Sequence, residues 1–163
     1  YKLEQEIEDL VQRKRAIFNE LFDNDETLDL LPGMRNLIES LYEQKFQLIL
    51  ATSSARVTLT KIFTRFNLFP YFSHIVSGED FPKSKPDPAI FLKAVELSGE
   101  PKNNCIIIED STNGVIAANA AEVFCVGYQS DASGDQDLST ADLVINDFAR
   151  LTPEVIKGLE RNK

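Results

Sequence analysis

Ile106-Ile107-Ile108-Glu109-Asp110-Ser111 is the stretch that decides the fold, since three large apolar side chains stop abruptly at two carboxylates and a hydroxyl. An uninterrupted apolar run of this kind predicts a buried strand of a parallel sheet. The small-residue segment at 114–121 predicts the helix that follows. A strand, a polar turn and a helix in this order indicate one βα unit of an α/β domain.

The segments on either side of this unit repeat the alternation of strand and helix. Short apolar runs predict further strands at residues 46–51, 75–76, 123–126 and 143–145, of which the first is expected to be buried on both faces. Helical apolar spacing and start signals predict helices at residues 3–22, from Pro32, from near Ala55, through 90–97 and from Thr152. This alternation predicts an α/β fold with a doubly wound parallel sheet.

The composition and net charge indicate which classes of binding partner to expect. The chain has 163 residues, a net charge of −9 and a pI near 4.6, so a nucleic-acid or anionic-membrane partner is not expected. No apolar run is long enough to span a membrane, and no leader-like segment opens the sequence. We expect a cytoplasmic monomer, with Cys105 and Cys125 as reduced core thiols rather than a disulfide.

A cluster of hydroxyls follows the predicted strand at 46–51. Thr52, Ser53 and Ser54 stand between that strand and a helix start, and ligands of parallel α/β sheets bind beyond the carboxyl ends of the strands. Their hydroxyls and the free N–H groups of the helix start could bind a phosphate. The alternative is a plain helix N-cap, for which Ser and Thr are favoured anyway.

Charged side chains occupy two further loops. Glu109 and Asp110 follow the isoleucine strand, and adjacent carboxylates at a strand end are costly unless a cation compensates them. Oxygen ligands of this type suit Mg²⁺, although a solvated turn or a helix cap is the alternative. Lys85 lies in a loop whose prolines limit its freedom, so its ammonium group can be held at a fixed point.

Three segments resemble, in order, the second, third and fourth motifs of haloacid-dehalogenase-type phosphatases. They lie at residues 50–54, which contain Thr52, at residues 85–91, which begin Lys85-Pro86-Asp87, and at residues 108–118, which contain Glu109-Asp110-Ser111. The similarity is greatest to the β-phosphoglucomutase-like subfamily and also takes in residues 31–33 and 75–78. It extends over roughly residues 30–127.

The resemblance implies a Rossmann-like core and a Mg²⁺-dependent phosphatase that acts on a small phosphorylated metabolite through a phosphoaspartate intermediate. An acidic pair such as Glu109-Asp110 favours phosphoryl transfer over dehalogenation, which needs no metal. A sugar phosphomutase that uses the same intermediate is the alternative. A non-catalytic fragment or pseudo-enzyme also stays open, because a convincing nucleophile is missing.

The resemblance also implies a role for each candidate site residue. The three residues expected to be catalytic are Thr52, Lys85 and Asp110. Phosphate would be bound by Thr52, Ser53, Ser54 and Lys85. Mg²⁺ would be bound by Asp110 with Glu109 beside it, and Asn113 is a weaker candidate at the same pocket edge.

The first motif of the family, Asp-x-Asp-x-Thr or -Val, raises a separate question. Residues 23–27 match it literally, but the preceding residues follow a helical period and Glu26 stands where the family usually has glycine. We therefore interpret residues 1–28 as the end of a helical cap with its linker, and residues 29–163 as a core lacking the nucleophile strand. The nucleophilic aspartate would then lie upstream of Tyr1; the alternative is a cap-less protein with Asp23 and Asp25 catalytic.

Overall fold

The computed structural model describes residues 2–130 and 134–159. They fall into two units, which divide after Leu30. The first unit contains α1 (Lys2–Asn24), and this helix confirms the one predicted over residues 3–22. Within α1 the rings of Phe18 and Phe22 stack with centroids 5.7 Å apart. Although α1 has 23 residues, no helix in the described part of the chain is long and apolar enough to cross a membrane.

The second unit alternates strands and helices, as predicted. Its elements are α2 (Met34–Glu43), β1 (Leu48–Thr52), α3 (Arg56–Arg65), β2 (Phe72–Ser77), α4 (Ala89–Ser98), β3 (Ile106–Glu109), α5 (Thr112–Ala121), β4 (Phe124–Tyr128), β5 (Leu143–Ile145) and α6 (Pro153–Lys157). All pairings between the strands are parallel, in the orders β1-β2 and β3-β4-β5. Each strand predicted from an apolar run is present, and the α/β fold is confirmed.

The two sheets lie side by side between two layers of helices. Adjacent residues of β1 and of β3 point to opposite faces: Ile49 and Ile107 pack into the core under α4 and α5, whereas Leu48 and Ile106 pack into the core under α2 and α6. Because each core receives side chains from both sheets, the strands form one layer with helices on both faces. This arrangement is the doubly wound architecture that the alternation of elements predicts.

The predictions that β1 is buried on both faces and that β3 is buried are wrong in part. Every residue of β1 is only partly buried, and Ile108 of β3 is 37% exposed. The reason is that β1 pairs only with β2 and β3 only with β4 within the described residues. Each of these two strands therefore keeps one edge without a strand partner, and side chains beside an open edge stay accessible to solvent.

Both cysteines are free thiols, as predicted. Cys125 is fully buried in the core under α4 and α5, and Cys105 packs at the edge of the same core. Both therefore pack in or against this core, which is the usual place of free cysteines.

The C-terminal end of α5 contains a residue that strains the backbone. Glu122 follows the helix with a φ of 61°, in the left-handed region that favours glycine. Its carboxylate lies 3.4 Å from Lys102 Nζ, but this ion pair is exposed and contributes little.

Replacing Glu122 by glycine is expected to raise the free energy of unfolding by about 0.5–1 kcal/mol, because the left-handed conformation costs a residue with a Cβ more than it costs glycine. Urea unfolding of the two proteins would measure the difference. Glu122→Gln is the control, since it removes the charge and keeps the strain, and it should leave stability unchanged. A gain from glutamine equal to the gain from glycine would contradict the strain argument.

Candidate functional site

Three of the predicted site residues lie at, or contact, the carboxyl ends of β1 and β3. Thr52 is the last residue of β1, and Glu109 is the last residue of β3. Lys85, from the segment between β2 and α4, reaches both strand ends: its Nζ lies 3.4 Å from the Ala51 carbonyl oxygen and forms an ion pair with the Glu109 carboxylate. The structure thus joins the second, third and fourth predicted motifs through one ammonium group.

Lys85 and Glu109 form an ion pair that is almost closed to solvent. The side chain of Lys85 is 11% exposed and that of Glu109 is 8% exposed. The Lys85 ammonium also lies 4.6 Å from the centroid of the Phe91 ring, within the range of a cation–π interaction. Two buried charges persist only when they are paired and hydrogen-bonded, so each side chain holds the other in place.

Glu109 is fixed from its other side by the start of α5. Its Oε2 accepts a hydrogen bond of 3.1 Å from Ser111 Oγ, and the same hydroxyl accepts one of 3.0 Å from the Gly114 N–H. A Cβ added to Gly114 would lie 1.9 Å from Glu109 Oε2. The absence of a side chain at Gly114 therefore makes the room that the buried carboxylate occupies.

Sequence reasoning gave Gly114 no role in the site. The signal that could have found it is a glycine in the first turn of a helix, where it costs about 1 kcal/mol relative to alanine and so calls for a compensating contact.

Gly114→Ala is expected to lower the free energy of unfolding by about 1–3 kcal/mol, because the new methyl group overlaps the Glu109 carboxylate and Lys85 holds that carboxylate in place. Denaturant unfolding would measure the loss. Gly158→Ala is the matched control: Gly158 has a φ of −93°, and its added Cβ meets nothing nearer than 3.4 Å, so a change within about 0.5 kcal/mol is expected there. Equal stabilities for Gly114→Ala and the parent protein would contradict the overlap.

The two carboxylates of the acidic pair have different environments. Both oxygens of Glu109 are engaged, one by Lys85 and one by Ser111. Asp110 is exposed, and its carboxylate has no hydrogen bond or ion pair to any described residue. Asp110 is therefore the member of the pair that is open to a cation.

Few described side chains at this site could bind a metal ion. Within residues 2–130 and 134–159, no three His, Cys, Asp or Glu side chains cluster closely enough to form a metal site by themselves. Mg²⁺ does not require such a cluster, because it commonly takes one or two protein carboxylates and completes its shell with water and substrate phosphate. One open carboxylate at a strand end fits that pattern.

One hydroxyl of the loop after β1 accepts a hydrogen bond from the same loop. Thr52 Oγ1 accepts a hydrogen bond of 3.0 Å from the Ser54 N–H, and the side chains of Ser53 and Ser54 are exposed. The N-cap of α3 is Ala55, which makes no side-chain cap. The alternative that these hydroxyls cap the helix is therefore wrong.

The expectation of free N–H groups at the start of α3 is wrong for one of them. The first helical N–H, that of Arg56, donates to Glu79 Oε2 at 3.0 Å. Glu79 comes from the loop after β2, a contact that the sequence pattern does not indicate. Asn113, the weaker candidate, lies exposed in the first turn of α5, one residue before Gly114.

The literal first-motif match does not lie at a strand end. Asp23 is in the last turn of α1, and Asp25 closes a local turn by accepting hydrogen bonds from the N–H and the hydroxyl of Thr27, at 2.9 and 2.6 Å. Both aspartates belong to the first unit, whereas Thr52, Lys85 and Asp110 belong to the second.

Comparison with known proteins places these observations in a family. Residues 1–128 match the haloacid dehalogenase-like hydrolases. Hexitol phosphatase B of Escherichia coli K12 is 33% identical over 135 residues, which are 82% of this chain and 61% of that protein. β-Phosphoglucomutase of Bacillus subtilis is 32% identical over 151 residues, which are 93% of this chain and 64% of that protein.

A solved structure agrees with the sequence matches. CbbY from Rhodobacter sphaeroides, in complex with phosphate, superposes with a TM-score of 0.78 at 25% identity, over 89% of this chain and 65% of that one. The chain thus spans about three fifths of the length of these relatives.

Proposed function

Because the chain belongs to the haloacid dehalogenase-like hydrolases, we propose that it is the core of a Mg²⁺-dependent phosphatase. Its substrate would be a small phosphorylated metabolite such as a sugar phosphate, and the reaction would pass through a phosphoaspartate. The observation that carries the proposal is the buried Lys85 ammonium held between the ends of β1 and β3. Relatives that match most of the chain carry the names of phosphatases and a phosphomutase.

Lys85 and Thr52 bind the phosphoryl group in this proposal. The Lys85 ammonium belongs to a side chain that is only 11% exposed, so it stabilises charge on phosphoryl oxygens more strongly than an ammonium in solvent would. Thr52 Oγ1 already accepts the Ser54 N–H, so its own proton can be donated to a phosphoryl oxygen. Ser53 and Ser54 lie on the exposed rim of the same loop and offer further donors.

Asp110 is the residue that would hold Mg²⁺, and the ion supplies positive charge that offsets the charge of the transferring phosphoryl group. Glu109 serves the site differently, since its carboxylate holds Lys85 and is itself held by Ser111. Asn113, in the first turn of α5, is placed by the proposal at the edge of the same pocket.

We propose that the nucleophile is an aspartate at the end of a further parallel strand between β1 and β3. The open edges of these two strands, the partly buried side chains along β1 and the Lys85 ammonium at the shared end support it. Asp23 and Asp25 are set aside because they lie at the end of a helix and in the turn after it. In this proposal residues 1–28 are the end of a helical cap and residues 29–163 the core around the missing strand.

A sugar phosphomutase is the second candidate. Its support is the 32% identity to β-phosphoglucomutase over 93% of the chain. Phosphorus NMR with a sugar bisphosphate would separate the two reactions: a mutase regenerates a sugar monophosphate isomer, whereas a phosphatase releases inorganic phosphate. A non-catalytic phosphate-binding protein would do neither.

The protein is also proposed to work as a cytoplasmic monomer. The two free thiols fit a reducing compartment, and the net charge of −9 disfavours binding to nucleic acid or anionic lipid. Light scattering at micromolar concentration would test the monomer directly.

Inorganic phosphate is the simplest probe of the proposed site. Titrated into the ¹⁵N-labelled chain, it is expected to shift the amide signals of Thr52, Ser53 and Ser54 in a saturable way, because the Lys85 ammonium lies beside the Ala51 carbonyl that directly precedes them. Sulfate serves as the control for a general anion effect, and chloride sets the ionic-strength baseline. If no amide signal of the loop shifts, the proposed function is wrong. Turnover of an aryl phosphate by this chain with Mg²⁺ would contradict the proposal that the strand carrying the nucleophile is missing from it.

A further inference from the structure

A group of three charged side chains ties the loop after β2 to the loop after β1. Glu79 Oε2 accepts the Arg56 N–H at 3.0 Å, which fixes the first turn of α3. The Arg56 guanidinium donates from Nη2 to both carboxylate oxygens of Asp80, at 2.7 and 2.5 Å. The start of α3, directly after the Thr52–Ser54 loop, is therefore bound twice to the neighbouring loop. We call Glu79, Asp80 and Arg56 the loop clamp.

The backbone beneath the loop clamp leaves little freedom. Ser77 is fully buried, lies opposite Thr52 in the parallel register, and accepts the Glu79 N–H with its hydroxyl at 3.2 Å. A Cβ added to Gly78 would lie 3.2 Å from Ser53 Cα. Because the two loops already touch through their backbones, a small displacement of one is transmitted to the other.

Two members of the loop clamp, Arg56 and Asp80, form an ion pair with each other. The Arg56 guanidinium, through its hydrogen bonds and its charge, holds the pKa of Asp80 below its usual value, and Asp80 raises the pKa of Arg56. Asp80 thus stays ionised and paired at neutral pH. The hydrogen bond from the Arg56 N–H requires only an acceptor oxygen, so the uncharged side-chain amide of glutamine could replace the Glu79 carboxylate.

We propose that Glu79 and the Arg56–Asp80 pair are positioning residues for phosphate binding: they hold the Thr52–Ser54 loop in the conformation that presents its donors to the phosphoryl group. The inference rests on the proposed function of that loop. It adds residues that lie outside the three predicted motifs and that do not themselves touch phosphate. Preorganised donors bind an anion more tightly than mobile ones, because the cost of ordering the loop is already met in the folded protein.

Substitutions at Glu79 separate positioning from charge. Glu79→Ala removes the acceptor of the Arg56 N–H, and phosphate affinity, measured from the Thr52–Ser54 amide shifts, is expected to fall about 5–10-fold. Glu79→Gln keeps an acceptor oxygen and removes the charge, so affinity within about twofold of the parent protein is expected. A charge effect would act in the opposite direction, since the loss of a nearby carboxylate favours anion binding in both variants.

Glu96→Ala is the matched control. Glu96 is an exposed acid on α4 whose carboxylate pairs with Lys93 at 2.7 Å, so the variant has the same net charge as Glu79→Ala and leaves the loop intact. Its phosphate affinity should equal that of the parent protein. Urea midpoints for all variants would show whether they are equally folded under the titration conditions.

Each outcome decides the inference. Parent-like or tighter phosphate binding by Glu79→Ala overturns it and leaves the proposed function standing. A parent protein that shows no phosphate response at Thr52–Ser54 overturns both. If Glu79→Ala does not fold, Asp80→Asn decides, because it releases only the exposed Arg56 side chain; about threefold weaker binding supports the inference, and unchanged binding overturns it.

Discussion

Lys85→Met is expected to lower the free energy of unfolding by about 3–5 kcal/mol and to abolish the response of the Thr52–Ser54 loop to phosphate. The stability loss follows because Glu109, 8% exposed, would keep a buried carboxylate without its cation. The phosphate loss follows because the ammonium is the one positive charge that the described structure brings to both strand ends. Methionine preserves most of the side-chain volume and its contact with Phe91, so packing changes contribute little.

The double variant Lys85→Met/Glu109→Gln separates the two losses. Glutamine can still accept the hydrogen bond from Ser111 and carries no charge, so most of the lost stability should return. Phosphate binding should not return, because the ammonium is still missing. Urea unfolding and the ¹⁵N titration would measure the two effects. A double variant as unstable as Lys85→Met would show that the buried charge is not the cause.

Asp110→Asn is expected to weaken divalent-cation binding about 100-fold, with stability unchanged within about 0.5 kcal/mol. The first effect follows because Asp110 offers the only carboxylate of the acidic pair that is not engaged by another described group. The second follows because the side chain is exposed and leaves nothing unpaired when it loses its charge. Mn²⁺ is the probe, since it substitutes for Mg²⁺ in oxygen sites and broadens the NMR signals of nearby amides.

The test depends on which amide signals Mn²⁺ broadens first. In the parent protein, Mn²⁺ should broaden the amides of residues 109–113 at concentrations that leave distant surface acids unaffected. Asp9→Asn is the control, because Asp9 is an exposed aspartate of α1 in the other unit. If Asp110→Asn and Asp9→Asn respond to Mn²⁺ alike, Asp110 does not hold the ion.

Local sequence pattern was sufficient to predict the elements of the fold. The apolar spacing of residues 3–22 gave α1 within two residues at its end, and the isoleucine run gave β3, which extends one residue further than the run, to Glu109. Predictions of this kind succeed because helix and strand periods depend on neighbouring residues in the chain. The weakest strand prediction, Ile75-Val76, became the six-residue β2, since pairing with β1 extends a strand beyond its apolar part.

The main residues of the site could also be predicted. Thr52 and Glu109 are the last residues of β1 and β3, and Lys85 lies in the segment after β2, so the rule that ligands bind beyond the carboxyl ends of parallel strands places them together. Gly114 and Glu79 were missed, because their contributions depend on contacts between residues that are not neighbours in the sequence. Gly114 leaves space for the Glu109 carboxylate, and Glu79 accepts a hydrogen bond from an N–H that lies 23 residues away in the chain. The individual roles of Thr52, Lys85 and Asp110 stay predictions.

The isoleucine run and the acidic pair after it therefore determined, by sequence alone, an α/β core with an acidic strand end. The tertiary structure decided which of the two carboxylates is paired and which is exposed. Glu109 turns inward to Lys85 and Ser111, and Asp110 turns to solvent. Successive residues at the end of a strand point to opposite sides, so one of two adjacent acids is buried and must be paired, and the other stays open to a cation.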